Sequence, residues 1–408
     1  MRLLLVAAFV ALLPASAGAE TRSLSFEEVA REALTRGPEA AKIAASLTER
    51  AAEAFSVKVK ENPALNLDVE VPVDRPSGGR EDTGIALSVS QAIRPSDFGQ
   101  RGALAALIRE TADSEQVLAL NELLANLAIL YARAWQFQET ETLLKDSRAR
   151  VSRILKRVTT GQESRGAFGE GDVELLRSEL ESFDADGVAA RGDLSRSLAE
   201  LTRSTGVALE GRTFQRPAEA PPVSRDALER MVRESKLPVQ RRFQLLKDLS
   251  RKRLEVARLD AFPAVSPQLG YAHHDDGADQ VMLGVSIPLP VFNRNQAETL
   301  RARGELSAAE QGERYATSDA IVSEALALYD AAADTRTQIE IYEKRVLPAK
   351  QRAVEAYYRQ FEGGAASAFQ LWQAQRELND SRRRSLELRV ALADARAKLT
   401  TLVGQPQF

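Results

Sequence analysis

The only two histidines of the 408-residue chain, His273 and His274, stand side by side and are followed at once by Asp275 and Asp276. Imidazole nitrogen and carboxylate oxygen are common ligands of divalent metals, so this quartet is where residue types and spacing could do metal chemistry. Its setting favours a plainer role. The stretch "AHHDDGADQ" is polar, contains Gly277, and lies between one alternating segment ending near Ala272 and another starting near Val281. It reads as a hairpin loop that needs no metal. No metal and no cofactor are expected, and His273, His274, Asp275 and Asp276 remain as weak ion-binding candidates only.

Other chemistry is equally scarce. The chain has no cysteine, no P-loop, no HExxH and no GxSxG, so no enzymatic activity is expected. Its 55 Lys and Arg against 58 Asp and Glu give a net charge of −3. The two signs are interspersed, which excludes the basic footprint of a nucleic-acid binder.

The elements that position these residues begin after residue 19. "MRLLLVAAFVALLPASAGAE" has Arg2, an apolar run from Leu3 to Leu13, Pro14 and an Ala17-Gly18-Ala19 cleavage signature. Residues 1–19 are expected to be a secretory signal peptide. Beyond them no run of about 18 consecutive apolar residues predicts a membrane helix.

A repeat of about two hundred residues organises the rest. Pro38 and Pro238 lie 200 residues apart, as do Pro63 and Pro263; "LAILYARA" from Leu127 returns as "ALALYDAA" from Ala325, and "LTRSTG" at Gly206 as "LTTLVG" at Gly404. Two copies follow, 20–206 and 224–404, joined by a Pro-rich linker at 207–223. Each copy is expected to hold helices broken at its proline, a hairpin (about 64–93 and about 264–290) and long helices. The long helices are placed at about 100–160 and 170–205, then about 294–362 and 367–403. The first would reach on the order of 85 Å, beyond the helices of a globular domain.

The closing helix carries Leu371, Leu378, Ser385, Leu392 and Leu399 every seven residues, with Ala374, Ser381, Leu388, Ala395 and Leu402 three later. Its counterpart carries Val173, Leu180, Gly187, Leu194 and Leu201 beside Leu176, Phe183, Ala190, Ser197 and Ser204. Such a seam predicts coiled-coil packing with close helix approach.

In the short segments Leu65, Leu67, Val69, Val71 and Val73 alternate with Asn66, Asp68 and Glu70, Ile85, Leu87 and Val89 with Ala86, Ser88 and Ser90, Val265, Leu269 and Tyr271 with Ser266, Gln268 and Gly270, and Val281, Leu283, Val285 and Ile287 with Met282, Gly284 and Ser286. Strict period two fits strands that turn apolar side chains to lipid and polar ones to a lumen. Four strands cannot close in lipid, because edges would leave backbone groups unpaired. Three chains would supply about twelve strands, within the range of outer-membrane barrels, and the same homotrimer would close a helical cylinder.

The mature chain resembles the TolC family of outer-membrane efflux factors. "EALTRGPEAAKIA" is similar to the family's opening helix, and "GVSIPLPVFNRNQAE" at 284–298 to its exit from the last strand. There Pro288 and Pro290 end ladder pairing. The resemblance implies a mixed α and β membrane protein with two internal structural repeats. It implies a trimeric transmembrane β-barrel, four strands per chain, above a long coiled-coil α-helical barrel, set in the outer membrane of a Gram-negative bacterium and extending into the periplasm. It also implies a passive conduit that docks a periplasmic adaptor and an inner-membrane pump, contacts outer-membrane lipid, and binds no nucleic acid.

In that family the turns between paired long helices form the gate and the docking end. Here these tips are 159–176 and 357–372, with Gly166, Gly169, Gly363 and Gly364 as docking candidates. Gln370 and Gln373 stand where the resemblance implies aspartates, and Asp172 is the repeat counterpart of Gln370. The pore constriction is therefore expected among Glu170, Asp172, Gln370 and Gln373, with Glu170 and Asp172 the acidic pair. The same acids would also suit a helix N-terminus. A periplasmic coiled-coil binding or adaptor protein, with the hairpins in a small soluble sheet, is the alternative.

Overall fold

The computed structural model describes residues 23–70, 84–161, 170–218, 223–234, 237–274, 279–363 and 365–404, without the side chain of Asp172. The expectations for the signal peptide and for Gly166, Gly169, Gly364, Asp275 and Asp276 lie outside these residues.

The elements in chain order are α1 (Phe26–Arg36), α2 (Pro38–Lys58), β1 (Ala64–Glu70), β2 (Gly84–Ser90), a 3-10 turn (Pro95–Asp97), α3 (Gln100–Gly161) and α4 (Glu170–Thr205). Then follow α5 (Arg225–Arg233), α6 (Pro238–Leu259), β3 (Ser266–His274), β4 (Asp279–Ser286), α7 (Gln296–Ala316), α8 (Asp319–Ile341), a π turn (Tyr342–Val346), α9 (Leu347–Glu362) and α10 (Ala368–Val403). The two prolines 200 residues apart each open a helix, α2 and α6, because proline suits a first turn and disfavours helix before it. α4 and α10 are each 36 residues long.

The chain forms two compact units, each drawing on both sequence halves. One comprises Met1–Ala44, Val117–Leu237 and Asp319–Phe408, the other Ala45–Gln116 and Pro238–Ser318. The first is helical. Its largest core joins Leu144, Val151, Ile154 and Val158 of α3 to Val173, Leu176 and Phe183 of α4, and to Val354, Phe361, Leu371 and Leu378 of α9 and α10. The heptad seam lies where the spacing predicts: Leu371, Leu378, Ser385, Leu392 and Leu399 are all buried. A second core surrounds Tyr131, whose hydroxyl lies 2.8 Å from both the Leu24 and Gln215 carbonyls and shares its one proton between them. A window of α3 is apolar enough, on average, to satisfy a membrane-span criterion. Packing takes up part of this apolarity: 28% of the window is buried, and Leu127, Tyr131, Ala134 and Trp135 enter this second core.

The segment expected as one helix over about 294–362 is instead divided. Thr317 and Ser318 turn their hydroxyls back onto the carbonyls of Glu313 and Tyr315, at 2.9 and 2.7 Å, and interrupt the ladder before α8 begins. Farther on, Pro348 cannot donate a backbone hydrogen bond. The preceding turn widens, so that the Leu347 N–H reaches Tyr342 O five residues back.

In the second unit α6 packs on α7 through Leu254, Ala257 and Ala302, and Gln240 Nε2 donates to Ala316 O at 2.8 Å. Ala54, Leu104, Ala105, Ile108, Leu249 and Val256 form the neighbouring core. The sheet runs β1-β2-β3-β4, antiparallel throughout. An isolated bridge between Ile93 and Val265 continues its base.

Candidate functional site

The register sorts the sheet into rows. Leu65 opposes Val89, Val89 opposes Leu269 and Leu269 opposes Leu283; one step up, Leu67, Leu87, Tyr271 and Val281 form the next row. All eight side chains point to the same face because side chains alternate along a strand. All are exposed, from 48% at Leu87 and Val89 to 81% at Leu283. The opposite face carries Ser88, Ala86 and Ala272, which are buried, and Gly270. A soluble sheet would bury the aliphatic face and expose the polar one; here the order is reversed. Below the sheet, near the strand ends, Phe98, Phe262 and Phe292 are exposed at 76%, 63% and 91%. Aromatic residues at the ends of an apolar band are the girdles of membrane barrels.

The histidine pair belongs to this sheet and not to a loop, which corrects the expectation of strands ending near Ala272 and resuming near Val281. β3 continues through His273 and His274, and β4 begins at Asp279. Pairing continues because the period-two pattern tolerates polar residues in the last rung. His273 faces Asp279, its Nδ1 2.8 Å from Asp279 Oδ1, and the Tyr271 hydroxyl donates to the same oxygen at 2.6 Å. Alternation turns His274 to the other face, where its Nε2 lies 3.9 Å from Glu70 Oε2. The two imidazoles therefore cannot share one ion. Among the described residues no group of three or more His, Asp or Glu is placed to hold a metal.

At the helical tip, Glu170 is the exposed first residue of α4. Gln370 is engaged in capping α10: its Oε1 accepts from the Ser367 N–H at 3.0 Å while Ser367 Oγ accepts from the Gln370 N–H at 3.2 Å. Gln373 is exposed one turn later, and Gly363 caps the end of α9. Arg157 of α3 reaches Glu362 at 2.8 Å, which brings the ends of α3 and α9 together.

Sequence reading did not single out the polar side chains inside the helical unit. Gln375 and Asn379 are buried on α10 and bond each other at 3.0 Å. Arg389 has a buried side chain and grips Glu343 of the π turn, which Arg216 holds from the linker at 2.9 Å. Arg216, Glu343 and Arg389 border a cleft of about 480 Å³ in which Arg216, Arg382 and Arg389 face Glu139, Asp146 and Glu343. Its charges balance, so it selects no ion. Burial, reinforced by the nearby Arg150 charge, lowers the pKa of the Arg382 guanidinium from its ordinary value, against the pull of Asp146.

An apolar-out sheet with open edges, joined in one chain to heptad-patterned helices, defines a class. The fold is that of the outer-membrane efflux channels, and residues 241–405 match the family model described as outer membrane efflux protein. The class that this fold defines is that of the outer-membrane efflux channels. Among solved structures it is similar to the Campylobacter jejuni CmeC outer membrane channel (TM-score 0.74, 15% identity, 93% of this chain and 85% of that one). It is also similar to the open state of the Neisseria gonorrhoeae MtrE channel (TM-score 0.72, 15% identity, 97% and 94%), and to CusC (TM-score 0.66, 18% identity, 96% and 95%). In sequence it is similar to the cobalt-zinc-cadmium resistance protein CzcC of Cupriavidus metallidurans, 26% identical over 261 residues. That match covers 61% of this chain and 59% of the relative's length.

Proposed function

We propose that the chain is the outer-membrane conduit of a tripartite efflux system, passing substrate from a periplasmic adaptor and an inner-membrane pump to the exterior. The observation that carries this reading is the reversed sheet. Its aliphatic face has no partner in water, and its outer strands β1 and β4 have free edges that a barrel must pair. Three copies would close about twelve strands, with the two sequence copies, 20–206 and 224–404, each supplying one hairpin and one pair of long helices.

In this reading the tips around Gly166, Gly169, Gly363 and Gly364 dock the adaptor, and Glu170 and Asp172 line the constriction. Gln370 is held by its capping bonds, which favours the acidic pair for that role. Kinship to a cobalt-zinc-cadmium resistance protein directs the cargo reading to divalent transition-metal cations.

Fractionation tests the assignment. The protein should sediment with outer membrane and, after detergent extraction, form ion-conducting channels in planar bilayers. Recovery in the soluble periplasmic fraction would overturn the assignment in favour of a soluble coiled-coil adaptor. Replacing Glu170 and Asp172 by alanine should raise single-channel conductance and weaken cation preference; unchanged values would remove both from the constriction. A strain lacking the chain should lose resistance to zinc, cobalt or cadmium, and unaltered resistance would reject the metal cargo.

A further inference from the structure

Two helix faces of the helical unit carry charge at matching intervals. Arg345, Arg352 and Arg359 recur every seven residues through the π turn and α9, and all three are exposed. The ion pairs of this stretch use Glu343, Lys344, Lys350 and Glu362 instead. Among the described residues no carboxylate comes within ion-pair distance of the three arginines, Glu355 of the same helix included.

The complementary face is on α4. Between residues 170 and 186 it holds seven acids and one base, Arg177. Asp184 and Asp186 are engaged within the chain by Arg148 and Arg383. Glu174 and Glu181, seven residues apart, are exposed; Glu174 meets only Arg177 of its own helix, at 2.6 Å, and Glu181 has no ion pair among the described residues.

We propose that α9 of one copy docks antiparallel along α4 of the next, with Arg359 on Glu174 and Arg352 on Glu181. The levels agree. Arg359 lies three residues before the end of α9, and Glu174 four residues after the start of α4, about 5–6 Å from the tip in each case. The second pair lies about 15–17 Å from the tip. Small residues flank both stripes, Ala349 and Ala356 on α9, Ala185 on α4, so the backbones can approach closely. Within one chain α9 packs on α10, and α4 on α1, α3 and α10; Arg352, Arg359, Glu174 and Glu181 stay exposed beside these contacts, open to a neighbour. The contact is head-to-tail, as a closed ring requires. The proposal rests on the trimeric reading above and adds to it the register by which the helical cylinder closes.

The natural chain has no cysteine, so engineered pairs report without background. Arg352→Cys combined with Glu181→Cys should give disulfide-linked multimers of the detergent-extracted protein on non-reducing gels. Arg352→Cys with Glu174→Cys, out of register by about 10 Å, should give few. Arg352→Glu with Arg359→Glu should convert the sedimenting trimer to smaller species, and adding Glu174→Lys and Glu181→Lys should restore it. A trimer that persists in the doubly reversed protein and forms no in-register disulfide overturns the docking and leaves the channel reading intact. If those reversals spare the trimer yet abolish adaptor capture, the arginine stripe is an adaptor site and the docking is again overturned. A parent protein that sediments as a monomer overturns both readings at once.

Discussion

Arg253 of α6 donates its Nη2 to Glu53 Oε1 of α2 at 2.6 Å, and the two residues stand 200 positions apart in the chain. The bridge thus joins two helices distant in sequence within one compact unit. Burial raises the Glu53 pKa, but hydrogen bonds and charges from Arg50 and Arg253 outweigh it and hold the carboxyl below its ordinary value. A depressed folded pKa stabilises above the unfolded value of 4.5 and loses that contribution as pH falls through the folded value. Glu53→Gln should therefore lower stability by up to about 1 kcal/mol at pH 7. Melting curves of the two proteins should converge as pH falls below 4.5 and through the depressed folded value.

On β1, neighbouring residues face opposite ways. Leu67 belongs to the exposed aliphatic rows and Asp68 to the other face. Leu67→Lys should destabilise the membrane-inserted protein by about 2–4 kcal/mol if the row lies near mid-bilayer. Asp68→Lys should leave assembly intact and alter only conduction. Heat-modifiability on gels reads the first, and bilayer recording the second.

Asn295 has φ 55°, the one described non-glycine residue in the left-handed region. There its Nδ2 donates to Ala257 O at 2.9 Å, closing the end of α6. Asn295→Ala loses the bond and keeps the strained backbone, for a cost of about 1–3 kcal/mol. Asn295→Gly loses the bond but relieves the strain and should melt above the alanine variant.

Arg389 places a side chain that is 5% exposed against Glu343. Removing it takes away the buried cation that faces this carboxylate, while Arg216 still reaches it at 2.9 Å. Arg389→Ala should cost about 3 kcal/mol, whereas Arg216→Ala, removing a side chain that is itself 53% exposed, should cost under about 1 kcal/mol. Denaturant titration of the two variants separates these outcomes.

Much of this was legible because the signals are local or strictly periodic. The long helix read as about 100–160 is Gln100–Gly161, and that read as 170–205 is Glu170–Thr205. The seam positions Leu371, Leu378 and Leu392 are buried, since a seven-residue repeat names its own face. The interruption at Thr317 and Ser318 was not legible, because serine and threonine return bonds to the helix without always ending it. Nor was the place of His273. A polar residue at the rim looks like loop until its partner Asp279, six residues on, is seen to continue the pairing. The Glu343 clamp joins residues too far apart in sequence to be paired by any spacing rule.

The sheet joins β2 to β3 across more than 170 residues of intervening chain, yet its finished surface repels water only on the side that points outward. Such a surface has no stable place in the aqueous space the chain must cross. In the trimeric reading proposed above, barrel completion is the last event of biogenesis and a multimolecular one, so its rate should climb with chain concentration and with available lipid surface while the helices, built from bonds four residues apart, form beforehand.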